Sequence, residues 1–119
     1  MQILSIILVA LVALEHLYIL YMEMFAWETL GKKTFKGSLP NELFKPTKKL
    51  AANQGLYNGF LAAGLIWSFF IENPEWQKNI QLFFLGCVIV REFMERFLLL
   101  EKYFLYKHYQ RFWLWQQCY

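Results

Sequence analysis

Residues 3–25 read ILSIILVALVALEHLYILYMEMF, an apolar run broken only by scattered polar side chains and carrying no lysine or arginine. At ~1.5 Å per residue a helix of this length crosses ~30 Å of hydrocarbon. The stretch therefore predicts a membrane-spanning helix over Ile3–Phe25. A cleaved signal peptide is the competing reading. No basic residue precedes the run Ile3–Leu14, and no small-residue cleavage pattern follows it, because the run continues through Glu15 and His16 to Tyr21. An uncleaved span is expected, with Trp27 at the depth of the interfacial aromatic belt.

The rest of the chain has the same character. In 119 residues, enough for one domain at most, 58% are hydrophobic and 20% aromatic, with mean hydropathy +0.28. A soluble domain this small must keep a large polar surface. Here charges are gathered into short stretches between long apolar runs, the pattern of spans joined by loops. The net charge of +3 is no nucleic-acid signal: six of the twelve basic residues, Lys32, Lys33, Lys36, Lys45, Lys48 and Lys49, sit in one stretch between apolar runs, where membrane orientation explains them better. The two cysteines, Cys87 and Cys118, form no spaced pair and lie near no histidine cluster, so neither a disulfide nor a zinc site is assigned.

Residues 28–49 oppose those six lysines with only Glu28 and Glu42, and contain Gly31, Gly37, Pro40 and Pro46, which break regular structure. The facing loop, residues 72–79, has Glu72 and Glu75 against Lys78. This asymmetry puts loop 28–49 in the cytoplasm and the N-terminus outside the cell membrane. A second span is expected at about residues 50–71. Along it Ala51, Gly55, Gly59 and Ala63 recur every four residues and include a GxxxG, a small-residue face on which a neighbouring helix can approach closely. Asn73-Pro74 reads as a short turn. The third span, about residues 80–100, is abnormal. Ile80–Val90 is apolar except for Gln81, but Arg91, Glu92, Glu95 and Arg96 then fall where the bilayer midplane should be. Each costs ~2.5–3.5 kcal/mol there, and i,i+4 pairing recovers little of that. Residues 91–119 taken as written form an aromatic, basic, amphipathic tail.

Ionisable residues at membrane depth mark functional sites. His16 and Glu23, seven apart, share a face of the first helix, and Glu15 points about 100° away. On the second span Gln54 and Asn58 lie one turn apart. Counting ~1.5 Å per residue from the loop sets Glu23 level with Gln54 and His16 level with Asn58, a shared polar cluster in the inner half of the membrane. The plainer reading is hydrogen-bonding glue between helices, worth about 0.6 kcal/mol per bond. One histidine with two carboxylates is too little for a metal site. No cofactor motif, nucleophile–base pair or phosphate loop occurs, so an enzyme is the less favoured class. Cys87, in an apolar run, reads as an inert packing residue.

Three motifs, LVALEHLYILYMEMFAW (Leu11–Trp27), LAANQGLYNGFLAAGLIW (Leu50–Trp67) and FFLGCVIV (Phe83–Val90), resemble the domain-of-unknown-function 1304 (DUF1304) family of small integral membrane proteins. The resemblance covers about residues 3–90 and implies four transmembrane helices, with no biochemical activity to carry over. It also implies a continuation like AGIYG after the third motif and a fourth span containing Q-x-x-P-A, and this chain has neither. A one-base frameshift accounts for both. Arg91–Phe97 written CGG GAA TTT ATG GAG CGG TTT becomes, with one G restored in front, GCG GGA ATT TAT GGA GCG GTT, which reads AGIYGAV. The same shift across codons permitted for residues 106–119 reads QALPAILALATML.

The sequence thus predicts an all-α transmembrane bundle, four spans in the family and about three here, with residues 1–90 family-like and 91–119 out of frame. The expected function is binding or passing a small solute or proton at Glu15, His16, Glu23, Gln54 and Asn58. The alternative is a non-catalytic assembly subunit that uses the Ala51, Gly55, Gly59, Ala63 face. The expected partners are the lipid bilayer and either a second copy or other membrane helices.

Overall fold

A computed structural model describes residues 2–117, and side-chain surroundings for all of these except 103, 106, 109, 110 and 112–117. Cys118 lies outside the described residues, and the tail tryptophans Trp113 and Trp115 outside the described side chains. Among the described residues every regular element is helical: α1 (Ile3–Phe25), a π-helical turn (Trp27–Gly31), α2 (Lys32–Thr34), a 3₁₀ turn (Asn41–Leu43), α3 (Lys48–Ser68) and α4 (Pro74–Gln117). The chain divides into two units, Met1–Leu85 and Gly86–Tyr119.

The first unit is organised by α1 packed antiparallel on α3. Its interface is built mostly from small and polar residues, with Val9, Met22 and Leu65 among them. The buried positions of α1 are Val9, Ala13, His16 and Met22, and those of α3 include Ala51, Gly55, Asn58, Ala62, Leu65 and Ser68. That α3 series advances in steps of three and four, the spacing that keeps one face of a helix against a partner. The large apolar residues point the other way: Ile3 is 76% exposed, Leu14 60% and Phe60 56%. Val9, Ala13 and Leu65 form a small buried cluster, closed by Val12, Phe69, Phe84 and Leu85. A valine at Gly64 would overlap the Phe84 ring, which fixes the start of α4 against α3.

Helix ends differ from the expected spans for local reasons. The second helix runs Lys48–Ser68, not 50–71. Ser68 Oγ–H donates to the Leu65 carbonyl at 2.6 Å, and the chain then turns through Phe69 and Phe70. The next helix starts at Pro74, six residues before Ile80. Asn73 is an N-cap as well as a turn residue: its Oδ1 accepts the N–H groups of Glu75 at 3.0 Å and Trp76 at 3.1 Å, and proline at the first helical position has no N–H to leave unpaired. Of the expected spans, α1 alone among the described residues is long and apolar enough to cross a membrane. Asn53, Gln54 and Asn58 dilute α3, and the four charges from Arg91 to Arg96 interrupt α4.

Residues 27–47 fold back on themselves. Phe44 is fully buried, and the Trp27 ring lies 5.2 Å from it and 5.6 Å from Phe35, centroid to centroid. Trp27 Nε1–H donates to Thr47 Oγ1 at 3.1 Å, and the Thr47 hydroxyl donates to the Leu43 carbonyl at 2.6 Å. Trp27 is thus the half-buried centre of a compact cap. Gly31 lies under the indole, where a Cβ would come 2.8 Å from Trp27 Cε3.

In the second unit the chain is helical to Gln117. Arg91 pairs with Glu95 at 3.2 Å, whereas no Glu92–Arg96 ion pair occurs among the described residues. Phe97, Leu98, Leu99 and Leu100 are all more than half exposed.

Candidate functional site

Glu23, in the last turns of α1, and Asn58, midway along α3, meet across the helix seam. The Asn58 side chain is 1% exposed. Its Nδ2 donates to Glu23 Oε2 at 2.9 Å and to the Gln54 carbonyl one turn back at 3.1 Å. Glycine makes this reach possible. A Cβ at position 55 would stand 3.0 Å from Glu23 Cβ, 2.8 Å from Met24 Cγ and 3.2 Å from the Leu20 carbonyl oxygen, and one at position 59 would overlap the Leu20 side chain. Two missing Cβ atoms set the register of the pair.

Counting rise from the loop puts Glu23 level with Gln54, and the structure sets its Cβ against Gly55, one residue on, with the carboxylate reaching Asn58. The expected level of His16 with Asn58 is off by a turn. His16 then falls level with Ala62–Leu65, roughly 6–10 Å along the axis from Asn58. His16 is 3% exposed, with Nδ1 2.8 Å from the Val12 carbonyl oxygen. A carbonyl only accepts, so Nδ1 carries the proton and donates. Nε2, an acceptor in the neutral ring, is buried and without a partner among the described residues.

The five candidate site residues therefore separate. Glu23 and Asn58 bond directly, and His16 lines the same seam further along. Glu15 and the Gln54 side chain are exposed, and Gln54 joins the network only through its carbonyl. Of the four packing residues, Ala51 and Gly55 are buried and Gly59 is half-buried, while Ala63 is exposed. Each step of four turns 400°, a 40° drift, and three steps carry Ala63 120° off the face that Ala51 occupies. Ala62 takes its place in the seam, fully buried.

A second polar group was not anticipated. At the end of α3, Ser68 Oγ accepts from Gln81 Nε2 at 3.0 Å, and the Ser68 carbonyl accepts from Gln77 Nε2, also at 3.0 Å. Ser68 and Gln81 are buried. The signal was Gln81, the one polar residue within Ile80–Val90. Beside this knot lies an open cleft of ≈ 510 Å³ lined by Ser5, Leu8, Lys78, Gln81 and Leu85 among others. Cys87 is a half-buried free thiol. Among the described residues no group of three or more His, Cys, Asp or Glu side chains could hold a metal ion.

The family described as "Protein of unknown function (DUF1304)" matches residues 10–93. The uncharacterized protein YpaA of Lactococcus lactis subsp. lactis (strain IL1403) is 40% identical over 83 aligned residues, covering 63% of this chain and 64% of that protein. The chain thus spans slightly less than two thirds of that relative's length. No solved structure matches.

Proposed function

Because this chain belongs to the DUF1304 family, we propose that it is a multi-pass membrane protein that takes up a proton or a small polar solute in the α1–α3 seam, at His16, with Glu23 and Asn58 further along the same seam. The membrane part of this reading is supported by the inside-out distribution of side chains: glycine, alanine, serine, histidine and asparagine line the seam while leucine, isoleucine and phenylalanine face outward. In lipid, helices associate through close packing of small residues and interhelical hydrogen bonds, and so broad an apolar surface in water is the mark of a membrane or partner contact. The lysine asymmetry of loop 28–49 supports an N-out orientation.

The single observation that carries the site is the buried, unpartnered Nε2 of His16. Leaving such an acceptor unsatisfied costs about 1–3 kcal/mol, which a donor group of a bound solute at that nitrogen would recover. His16→Leu separates a site from structural glue by sign. Removing an orphan acceptor raises the stability of the purified chain in detergent by roughly 1 kcal/mol, while a histidine that holds the helices together lowers it when lost. In ¹⁵N-histidine spectra of the full chain the His16 Nε2 signal should be that of an unprotonated nitrogen and should move when acid or the solute is added. A His16 spectrum unchanged by acid and by the solute would refute the site. The Gly55–Gly59 face packs on α1 of the same chain, which favours the site reading over assembly through that face.

The four-span reading rests on the frameshift. We infer that codons from residue 91 onward are read one base out of register, and that the in-frame chain continues as AGIYG into a fourth helix. Two observations support this: the family match stops at residue 93, and the unit that holds the seam ends at Leu85. Resequencing genomic DNA across codons 88 to 95 should find one additional G. An unchanged sequence there, together with tryptic peptides from residues 97–111 in the native protein, would end the proposal.

A further inference from the structure

We propose that the cap between α1 and α3 is a docking surface for anionic phospholipid headgroups in the leaflet at that end of α1. The inference rests on the membrane reading above and adds a partner to it. Lysine asymmetry alone orients a chain during insertion; it does not require the loop to fold. Here the loop is folded on Phe44, Trp27 and Phe35, so its lysines are held in place against the end of the apolar helix. Among the described residues one of the six lysines is paired, Lys48 to Glu28 at 3.4 Å. Lys33, Lys36, Lys45 and Lys49 are exposed and Lys32 is half-exposed, none with an acidic partner among the described residues.

The placement of Lys48 and Lys49 adds an independent electrostatic argument. They occupy the first turn of α3, which contains no acidic residue and has no side-chain cap. The Thr47 hydroxyl, which could cap, donates to Leu43 instead. Cations at the positive end of a helix dipole repel it, and an anion lying against both removes that conflict. Phosphodiesters at a bilayer surface supply anions in the right plane, immediately beyond Phe25, where the apolar helix ends. Juxtamembrane lysines gain roughly fivefold in affinity apiece from such a surface, within a Debye length of it.

The test uses the full chain reconstituted in phosphatidylcholine bilayers, with spin-labelled phosphatidylglycerol or spin-labelled phosphatidylcholine as the probe. The expected result is a severalfold preference of protein-contacting lipid for phosphatidylglycerol. It should collapse in high salt and in the variant Lys33→Gln/Lys36→Gln/Lys45→Gln, whose exposed side chains leave the Phe44 cap intact. Lys78→Gln, near Ser5 at the opposite end of α1, should leave the preference unchanged. Equal association of both lipids with the unmodified chain overturns the inference, as does a preference that survives the triple variant. Displacement by millimolar inorganic phosphate also overturns it, since the surface would then be a site for a soluble anion. Alkaline carbonate extraction separates the two levels. A chain that stays in the membrane yet shows no lipid preference refutes the docking surface alone, while a chain that is extracted refutes the membrane reading and this inference together.

Discussion

Gly55→Val should separate α1 from α3 and cost the folded chain ~3 kcal/mol or more. The first Cβ atom already meets Met24 Cγ at 2.8 Å, Glu23 Cβ at 3.0 Å and the Leu20 carbonyl oxygen at 3.2 Å. Met24 can swing aside, so Gly55→Ala alone is the milder variant. The Leu20 oxygen cannot, because it belongs to the backbone of α1, and valine's two γ-methyls reach further into it. Overpacking of this kind costs about 1–3 kcal/mol in ordinary cores, occasionally more, and here the displaced helix also loses the Glu23–Asn58 hydrogen bond. Gly86 is the internal comparison: it lies in α4 with nothing within 4 Å of a Cβ, so Gly86→Ala should be neutral or gain up to about 1 kcal/mol from helix propensity. Denaturation by titrating SDS into mild detergent, followed by circular dichroism, reads both. If Gly55→Val fell within about 0.5 kcal/mol of the parent chain, the close seam would not be what holds α1 to α3.

How much of this was legible before the structure depends on which physical rule governs each residue. The bounds of α1 follow from an uninterrupted apolar run, and they appear as expected at Ile3–Phe25. Gly55 and Gly59 stand out because glycine in a membrane helix signals close approach. The partner of that approach was not legible: sequence gives each helix its faces but not the axial register between two helices. The register is fixed by which side chains fall opposite the missing Cβ atoms, here Leu20, Glu23 and Met24. Counting rise places Glu23 within one residue of Gly55, its observed neighbour, but sets His16 about a turn off, level with Asn58. Ala63 was misplaced for a simpler reason, since a strict four-residue repeat leaves a 3.6-residue helix face within three steps. The cap over residues 27–47 was hidden by its glycines and prolines, which mark breaks in regular structure without excluding a folded loop. Phe44 was the available clue: an aromatic between breakers, fully buried once the chain folds.

A double-mutant cycle on Glu23 and Asn58 should give a coupling of ~1 kcal/mol, inside the range of about 0.6–1.7 kcal/mol found for interhelical bonds in membrane proteins. Asn58→Leu removes the donor to Glu23 Oε2, and Glu23→Leu leaves Asn58 with its bond to the Gln54 carbonyl. The double replacement should cost less than the sum of the singles, since two apolar groups of matching shape leave nothing unpaired. Glu23→Gln carries the functional information. An amide oxygen can accept the same Asn58 N–H, so the seam should hold to within ~0.5 kcal/mol while the titratable proton site is abolished. If proton or solute uptake survives Glu23→Gln but not His16→Leu, the chemistry belongs to the orphan imidazole and the Glu23–Asn58 bond serves to hold the seam. Loss of uptake in both variants, with stability retained in Glu23→Gln, assigns the carboxyl to the site as well. A coupling near zero would mean that the bond is incidental, and the α1–α3 register would then rest on the two glycines alone.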